Sequence, residues 1–303
     1  MTPRGHPNYN RRASIKVIMF SYRHAFHAGN HADVLKHSIV VYLLRHLAQK
    51  DAPYWYIDTH AGAGAYALDD EWAEKNAEYE TGIGRIWERD DLPEMVANYV
   101  EQVQAFNEDG TLRYYPGSPY LALQLMRERD RLRLFELHST EIEVLRNNFQ
   151  DQGRSVARRT MIYDADGFEG LKALLPPPPR RGLVLIDPSY EDKRDYARVI
   201  QTCKEGLERF ATGCYAIWYP QVQRNESIQL PERLAKLPAK SWVHVSLTVQ
   251  SPTSDGYGLH GSGMFILNPP WMLAAALKET MPWLKATLGQ DDGARYTLES
   301  KDA

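Results

Sequence analysis

The run Leu183-Val184-Leu185-Ile186, followed at once by Asp187-Pro188-Ser189-Tyr190, constrains the fold of this chain more than any other segment. An unbroken run of aliphatic and β-branched residues is typical of a central parallel strand that is buried on both faces. In open α/β sheets, ligands bind outside the carboxyl ends of such strands. The segment therefore predicts an α/β fold with a polar loop at a ligand-binding edge.

The composition is ordinary for a globular protein of one large or two small domains. The chain has 303 residues, of which 43% are hydrophobic and 25% charged. We expect no membrane span, because no apolar run approaches the roughly 20 residues that one requires. Cys203 and Cys214 are the only cysteines, too few for a disulfide framework, so we expect a cytoplasmic protein.

The net charge of −3 does not indicate a nucleic-acid binder, but the distribution of charge is uneven. No acid precedes Asp33, whereas several basic residues do. Further basic groups cluster at Arg127, Arg129, Arg131 and Arg133, at Arg154, Arg158 and Arg159, and at Arg180 and Arg181. A basic face of the protein would suit RNA. Basic residues at solvated helix ends and loops would also explain the clusters, and composition alone favours this simpler interpretation.

Hydrophobic periodicity predicts strands that alternate with helices and then close on an antiparallel pair. Predicted strands cover 53–57, 132–137, 160–163, 182–186, 215–218, 243–248 and 264–267, and predicted helices cover 30–47, 167–175, 194–209 and a final segment from about 271. The region from Ala65 to Leu112 interrupts this rhythm, and we interpret it as a helical insertion without a strand. The pattern is that of a Rossmann-like α/β sheet.

Acidic residues follow the first three predicted strands. Asp58 precedes Ala61-Gly62-Ala63-Gly64, in which glycines allow a ligand to approach the backbone. Glu136 falls at the end of the second strand, where an acid can accept hydrogen bonds from ribose hydroxyls, and Asp166-Gly167 follows the third. Each feature alone is also explained by an ordinary strand-to-helix turn, but three acids at three successive strand ends together favour a nucleoside site.

The Asp187 to Tyr190 segment carries the most specific chemistry. The exocyclic amine of adenine is a weak nucleophile, because its lone pair is delocalised into the ring. The Asp187 carboxylate and the Pro188 carbonyl could accept its two N–H bonds, and Tyr190 could stack on a base that has left its helix. A simple strand-end turn is the alternative interpretation.

Asn268-Pro269-Pro270-Trp271 is a second segment whose sequence resembles that of Asp187-Pro188-Ser189-Tyr190. It follows the last predicted strand, beyond the loop that closes the sheet, and so away from the three acids. We interpret it as structural, with Asn268 capping the final helix.

The stretch from Ser21 to Asp33 is rich in histidine and aromatic residues. The spacing of His27, His31 and Asp33 would allow metal ligands, but no cysteine or further acid completes a set, so we predict no metal site. Contact with a base, a phosphate or a cofactor fits this stretch better, together with Lys36 and His37 on the following helix.

From Met19 to the C-terminus, the chain resembles the RlmJ family (formerly YhiR) of bacterial 23S rRNA adenine-N6 methyltransferases. The resemblance rests on long motifs in order: SYRHAFHAGNHADVLKH, DTHAGAG, RYYPGSP, ELH, DADGF, RRGLVLIDPSYE and the Trp218–Pro220 triplet. It implies a Rossmann-like class I methyltransferase fold with an inserted helical subdomain. It also implies S-adenosylmethionine as methyl donor and a monomer that acts on protein-free or early precursor 23S rRNA.

By motif match, the resemblance implies a role for each of several residues. Asp187 would be the catalytic acid, supported by Pro188 and Tyr190, and Tyr22 and His24 would lie over the donor and the target base together with Tyr190. The donor site would comprise Lys36, His37, Asp58, His60, Gly62, Ser118, Glu136, Asp166, Gly167 and Asp187. The expected division of the chain is a basic extension at 1–18, the N-terminal motif and start of the catalytic domain at 19–64, the insertion at 65–115 and the remainder at 116–303.

Two features depart from the family pattern. Residues 1–18 have no counterpart, which predicts a dispensable extension, and Ser189 stands where a second proline is usual. We expect activity to persist, because the accepting carbonyl belongs to Pro188. Methylation of a DNA adenine or of a glutamine amide, and a catalytically silent RNA-binding relative, are the alternatives that the sequence leaves open.

Overall fold

The computed structural model describes residues 27–68, 77–253 and 258–302. Tyr22, His24 and the predicted extension 1–18 lie outside the described residues. Within the described ranges, no helix is both long and apolar enough to cross a membrane.

Helices and strands alternate along most of the chain. The α-helices are α1 His31–Ala48, α2 Glu94–Phe106, α3 Ser118–Leu125, α4 Ser139–Gln150, α5 Gly153–Arg159, α6 Gly167–Leu174, α7 Arg194–Arg209, α8 Asn225–Ala235 and α9 Leu273–Leu288. The strands are β1 Trp55–Asp58, β2 Ala65–Ala67, β3 Tyr114–Pro116, β4 Arg131–Glu136, β5 Thr160–Asp164, β6 Gly182–Ile186, β7 Cys214–Gln221, β8 Trp242–Thr248, β9 Gly261–Leu267 and β10 Arg295–Lys301.

An eight-stranded sheet in the order β10-β8-β9-β7-β6-β1-β4-β5 organises the fold. Strands β5, β4, β1, β6 and β7 are parallel, whereas β9 is antiparallel to both β7 and β8, and β10 is antiparallel to β8. The order reverses between β1 and β6, so the carboxyl ends of these two strands flank a topological switch point, where doubly wound sheets bind ligands. This is the Rossmann-like fold of class I methyltransferases, as the sequence predicts.

Apolar residues cover both faces of the sheet. One hydrophobic cluster contains residues of α1, α2, α3 and α9, and the other contains residues of α6, α7 and α8. All five residues of β6 are buried, which is why its sequence is an unbroken apolar run. Helix α1 contacts β6, β7 and β9, and this packing brings a residue near the start of the helix to the carboxyl end of β6.

The region between β1 and β4 corrects one prediction. It is not strand-free, because β2 pairs antiparallel with β3, with Ala65 opposite Pro116 and Ala67 opposite Tyr114. Between them, the described residues form two short 3₁₀ helices, at Glu78–Thr81 and Ile83–Arg85, and α2. The subdomain boundaries 65–115 stay a prediction.

The C-terminal region contains elements that the sequence pattern does not reveal. Helix α8 follows β7, and β10 follows α9, so α9 is not the last element. The prediction that Asn268 caps the final helix is also wrong, because Met272 holds the N-cap position of α9. Its interpretation as structural is supported by three hydrogen bonds: the Asn268 Nδ2 donates to the carbonyls of Ala211 and Gly213, and its Oδ1 accepts from the Lys240 amide.

Candidate active site at the carboxyl edge of the parallel strands

Four carboxylates lie at the carboxyl ends of neighbouring parallel strands. Asp58 is the last residue of β1 and Glu136 is the last of β4, while Asp166 and Asp187 follow β5 and β6. Since these strands are adjacent in the sheet, their carboxyl ends meet at one edge. The fold therefore brings the predicted acids of the donor site to the same edge as the Asp187 loop.

Asp187 forms an ion pair with Lys36, a residue of α1. The Lys36 Nζ lies 2.7 Å from the Asp187 Oδ2 and 2.8 Å from the Asp33 Oδ1, and all three side chains are about five-sixths buried or more. Burial opposes the charge on the ammonium, but attraction by Asp187 and Asp33 outweighs it and holds the pKa of Lys36 above its ordinary value. Lys36 consequently stays a cation, which fixes the Asp187 carboxylate at the end of β6.

Asp33 completes this cluster. Burial disfavours its ionised form, but Lys36 and His37 stabilise it and lower its pKa to about 2. Its Oδ2 also accepts a hydrogen bond of 2.9 Å from the Gly29 amide. The helix start is fixed by Asn30, whose Oδ1 accepts from the amides of Ala32 and Asp33. These contacts set the position from which Lys36 reaches Asp187.

The loop after β6 has a defined backbone. Pro188 is buried and Ser189 is exposed, and within the described part of the chain the Pro188 carbonyl accepts no hydrogen bond. Tyr190 has a φ of +54°, in the left-handed region that non-glycine residues rarely adopt. The loop can therefore offer the Asp187 carboxylate and the Pro188 carbonyl together as acceptors.

Tyr190 lies inside the protein and not on its surface. Its ring is 2% exposed and contacts Tyr196 and Trp218, and its hydroxyl donates to the Trp218 carbonyl at 2.7 Å. The Arg224 Nη1 donates to the Tyr190 carbonyl at 3.1 Å. In this structure Tyr190 anchors the loop, and its predicted stacking on a base stays a prediction.

Asp58 is fully buried beneath the edge. Its Oδ2 accepts from the Ser118 hydroxyl at 2.6 Å and from the Tyr56 hydroxyl at 3.0 Å, and its Oδ1 accepts from the His60 amide. Burial raises the pKa of Asp58 to about 6, with a smaller contribution from the negative charge of Asp187, while these hydrogen bonds oppose the rise. The three predicted residues Asp58, His60 and Ser118 are thus directly connected, and Tyr56 joins them.

Glu136 is held against the glycine turn that follows β1. The Gly62 amide donates to the Glu136 Oε2 at 2.8 Å, and the His138 amide donates to its Oε1 at 2.7 Å. A carboxylate has about four lone-pair positions, so two remain for ribose hydroxyls. Gly62 has a φ of +60°, and a Cβ there would lie 2.5 Å from the Tyr66 hydroxyl oxygen, so a larger residue would be strained.

Asp166 has three partners within the protein. Its Oδ1 accepts from the Phe168 and Glu169 amides as the N-cap of α6, and its Oδ2 pairs with the Arg198 guanidinium at 2.5 Å. Burial works against ionisation, but Arg198 holds the pKa of Asp166 below its ordinary value. Gly167 is required by packing, since a Cβ would lie 2.0 Å from the Thr59 carbonyl oxygen.

Two histidines of the predicted donor site remain neutral near pH 7. Burial lowers the pKa of His37 to about 3 and that of His60 to about 4. The His37 Nδ1 lies 2.6 Å from the Tyr115 hydroxyl, while its buried Nε2 has no hydrogen-bond partner among the described residues. The His60 ring meets Phe168 edge-on at 4.7 Å. A polar ligand atom would satisfy the His37 Nε2, which fits a residue that holds a cofactor.

The histidine-rich stretch makes protein contacts where it is described. His27 pairs with Glu78, and Asp33 pairs with Lys36. Among the described residues, no group of three or more His, Cys, Asp or Glu side chains is arranged to hold a metal ion.

Sequence reasoning missed several residues of the site. Tyr56, Asp33, Arg198 and Trp218 all contact predicted site residues, and Lys36 lies 5.7 Å from the centroid of the Trp218 ring. Trp218 belongs to one of the motifs of the family resemblance, which was a usable signal. Arg198 lies on the polar side of α7 and carries no sequence signal that separates it from other surface arginines.

Comparison with known proteins identifies the family to which the chain belongs. The family model described as ribosomal RNA large subunit methyltransferase D, RlmJ, matches residues 51–299. Ribosomal RNA large subunit methyltransferase J of Escherichia coli K12 is 48% identical over 270 residues, which cover 89% of this chain and 94% of that protein. The chain belongs to the RlmJ family.

A second RlmJ protein and a solved structure agree. Ribosomal RNA large subunit methyltransferase J of Haemophilus influenzae Rd is 45% identical over 282 residues, covering 93% of this chain and 98% of that protein. A crystal structure of a Legionella pneumophila protein superposes with a TM-score of 0.82 at 36% identity, covering 90% of this chain and 98% of that chain. The RlmJ resemblance found in the sequence motifs is confirmed over nearly the whole chain.

Proposed function

We propose that this RlmJ-family protein transfers a methyl group from S-adenosylmethionine to the exocyclic N6 of an adenine in 23S rRNA. The observation that carries the proposal is the end of β6, where the Lys36-paired Asp187 carboxylate precedes a Pro188 carbonyl that accepts no hydrogen bond from any described residue. Two acceptors on one loop match the two N–H bonds of an adenine amine. Asp58 and Glu136 lie at the same sheet edge, where a nucleoside cofactor is expected.

S-adenosylmethionine supplies an electrophilic methyl group when it is bound. Glu136 would hold its ribose hydroxyls, and the unpartnered His37 Nε2 and the Ser118–Asp58 pair would contact its polar groups. Asp166-Gly167 would lie beside its base. We propose these contacts on the basis of the strand ends on which the residues stand and their hydrogen-bonding capacity.

The chain's own residues would act by positioning and by fixed charge. Asp187 and the Pro188 carbonyl would accept hydrogen bonds from the two N–H groups of the amine, which concentrates the lone pair on N6 toward the methyl group. The N–C bond would form as the bond between the methyl carbon and the donor sulfur breaks, with its electron pair left on sulfur, and the Asp187 carboxylate would stabilise the positive charge that develops on N6. One proton then leaves N6 for solvent, with Asp187 as the nearest acceptor. The Lys36 cation holds the Asp187 carboxylate in place for this role.

The target base must leave its stack to reach this edge. Stacking on Tyr190 would then require the loop to open, because its ring is buried in this structure. Tyr22 and His24, from the N-terminal motif, are the further residues that we propose to contact the base. Protein-free or early precursor 23S rRNA is the proposed substrate, a monomer the proposed active form and the cytoplasm the proposed compartment.

An assay of label transfer from methyl-labelled S-adenosylmethionine tests the proposal. The substrates are unmodified 23S rRNA, assembled large subunits and duplex DNA, each with the wild type and with Asp187→Ala. We expect label on N6 of an adenine in protein-free rRNA with the wild type alone. Labelled DNA with unlabelled rRNA would indicate a DNA methyltransferase, and rRNA binding without transfer would indicate a catalytically silent relative.

A further inference from the structure

Several of the arginines that cluster in the sequence meet at the edge of the sheet opposite to Asp187. An open pocket of about 320 Å³ lies there, where β4 and β5 begin, and is lined by Glu128, Arg131, Arg154, Ser155, Arg158 and Arg159. Strand β4 separates the pocket from Glu136 by five residue steps, or about 17 Å at the usual rise per residue. The pocket is thus separate from the candidate active site.

Two of these arginines are fixed by main-chain contacts. The Arg159 Nη1 donates to the carbonyls of Met126 and Arg127, and the Arg131 Nη1 donates to those of Glu128 and Asp130. The Arg159 Nε is buried and has no hydrogen-bond partner in the described part of the chain. Burial lowers the pKa of Arg159 below its ordinary value, with nearby acids only partly compensating, so its charge is incompletely balanced.

The side chains of the other two arginines have no counter-ion among the described residues. Arg154 and Arg158 are exposed, and neither side chain makes an ion pair or a hydrogen bond with any residue that the structure describes. They stand four residues apart on α5, so their side chains lie on the same helix face and repel each other. Glu128 is the one carboxylate in the lining, and its Oε1 lies 3.5 Å from the Ser155 hydroxyl. An external anion would relieve this excess of positive charge.

We propose that this pocket, formed by Arg131, Arg154, Arg158 and Arg159, binds phosphates of the 23S rRNA backbone away from the target adenine. Guanidinium groups match phosphate oxygens with paired hydrogen bonds, and clustered arginines are the electrostatic footprint of RNA binding. A large rRNA extends well beyond one edge of the protein, so both edges can contact it. The inference rests on the proposed function in assuming that rRNA is the substrate.

The test compares the full-length wild type with Arg154→Ala/Arg158→Ala, which leaves the structural contacts of Arg131 and Arg159 intact. Binding to unmodified 23S rRNA is measured over a series of salt concentrations, and methylation is measured at saturating rRNA. Removing two phosphate contacts should weaken binding about tenfold at 0.1 M salt and reduce the slope of log K against log salt by about 1.5. The KM for rRNA should rise, whereas kcat should stay within about twofold because no residue of the active edge changes.

The matched control is Lys278→Ala/Lys285→Ala, which removes two exposed charges from α9 and should leave affinity and slope unchanged. Equal affinity and slope in the wild type and the arginine variant would overturn the inference, as would an equal loss in the lysine control. A wild type that binds rRNA without methylating it would overturn the proposed function alone, since the binding comparison still decides the role of the pocket. A wild type that does not bind rRNA would overturn both.

Discussion

Asp187-Pro188 stands at the end of β6, and Asn268-Pro269 stands at the end of β9, so two similar sequences leave the same sheet in opposite directions. Because β9 runs antiparallel to β7 and Leu267 lies opposite Tyr215, Asn268 leaves the sheet where the parallel strands begin. All polar atoms of the Asn268 side chain form hydrogen bonds with the main chain. Asp187 is instead held by a buried cation, and the carbonyl of the next residue, Pro188, accepts no hydrogen bond within the described part of the chain.

The difference teaches that strand direction separates the proposed catalytic loop from a structural one. The carboxyl edge collects buried charge and unfilled acceptors, which lower stability unless a ligand or counter-ion compensates them. At the opposite edge, the Asn268 side chain donates hydrogen bonds to main-chain carbonyl groups. Substitutions at the first edge should therefore affect chemistry, and those at the second should affect stability.

The largest effect is expected for Asp187→Ala. It removes one of two fixed acceptors for the target amine and leaves Lys36 with Asp33 alone, so kcat/KM should fall by about 10² to 10³. Single-turnover methylation of 23S rRNA measures this, with circular dichroism to verify folding. Asp192→Asn is the control, since Asp192 is a nearby, partly exposed acid that pairs with Arg194, and it should retain activity. Activity of Asp187→Ala within tenfold of the wild type would remove Asp187 from the proposed role.

Asn268→Ala should have the opposite profile. It removes three hydrogen bonds and places alanine at a φ of +51°, which together should lower the free energy of unfolding by about 3 kcal/mol. Asn268→Gly, which tolerates this φ, should recover about 1 kcal/mol of that loss. Urea denaturation measures both, and kcat/KM of the folded fraction should stay near the wild-type value. Loss of catalysis in a stably folded Asn268→Ala would break the contrast between the two strand ends.

The two strand ends also show how far sequence alone can reach. The apolar run predicts β6 at its observed bounds, Gly182–Ile186, and amphipathic spacing predicts α7 at its observed bounds, Arg194–Arg209. Both predictions succeed because each element is defined by the burial pattern of its own residues. Three elements are not revealed by local sequence pattern. Strand β10 is mostly exposed, and α8 contains Pro231. Strand β2 forms only by pairing with β3, which begins 47 residues after β2 ends. The Lys36–Asp187 pair joins residues 151 apart and depends on how α1 crosses the sheet.

The pH dependence of stability in Asp58 variants tests whether a buried charge at the candidate active edge lowers the free energy of unfolding. Its pKa is raised from 3.8 to about 6 in the folded protein, so the folded state binds this proton more tightly than the unfolded state. The resulting penalty is absent below about pH 3.8, grows as the pH rises and is complete above about pH 6. Between pH 7 and pH 4, the wild type should gain about 2 kcal/mol of unfolding free energy relative to Asp58→Asn. Denaturation curves for both proteins at several pH values measure this gain, and parallel pH dependence would show that the ionised carboxylate is not destabilising.

Tyr190→Phe separates anchoring of the loop from recognition of the base. The change removes the hydroxyl that donates to the Trp218 carbonyl and should lower the free energy of unfolding by about 1 kcal/mol. The aromatic ring remains, so kcat/KM should fall by less than about fivefold. Thermal unfolding and methylation assays measure the two effects. A loss of activity equal to that of Asp187→Ala would mean that the hydroxyl itself takes part in the reaction.

Ser189→Pro introduces the residue that the family resemblance led us to expect at this position, and it should have the smallest effect. Ser189 is exposed, and its Oγ makes one long contact of 3.4 Å with the Glu191 amide, so little is lost when it is replaced. Proline restricts the unfolded chain and should raise the free energy of unfolding by less than about 1 kcal/mol. Because the Pro188 carbonyl and Asp187 are unchanged, kcat/KM should stay within about threefold, with Ser189→Ala as the control for loss of the hydroxyl. A tenfold gain in kcat from proline alone would show that the loop after β6 is too mobile in this protein, and that rigidity, as well as strand direction, distinguishes a catalytic strand end.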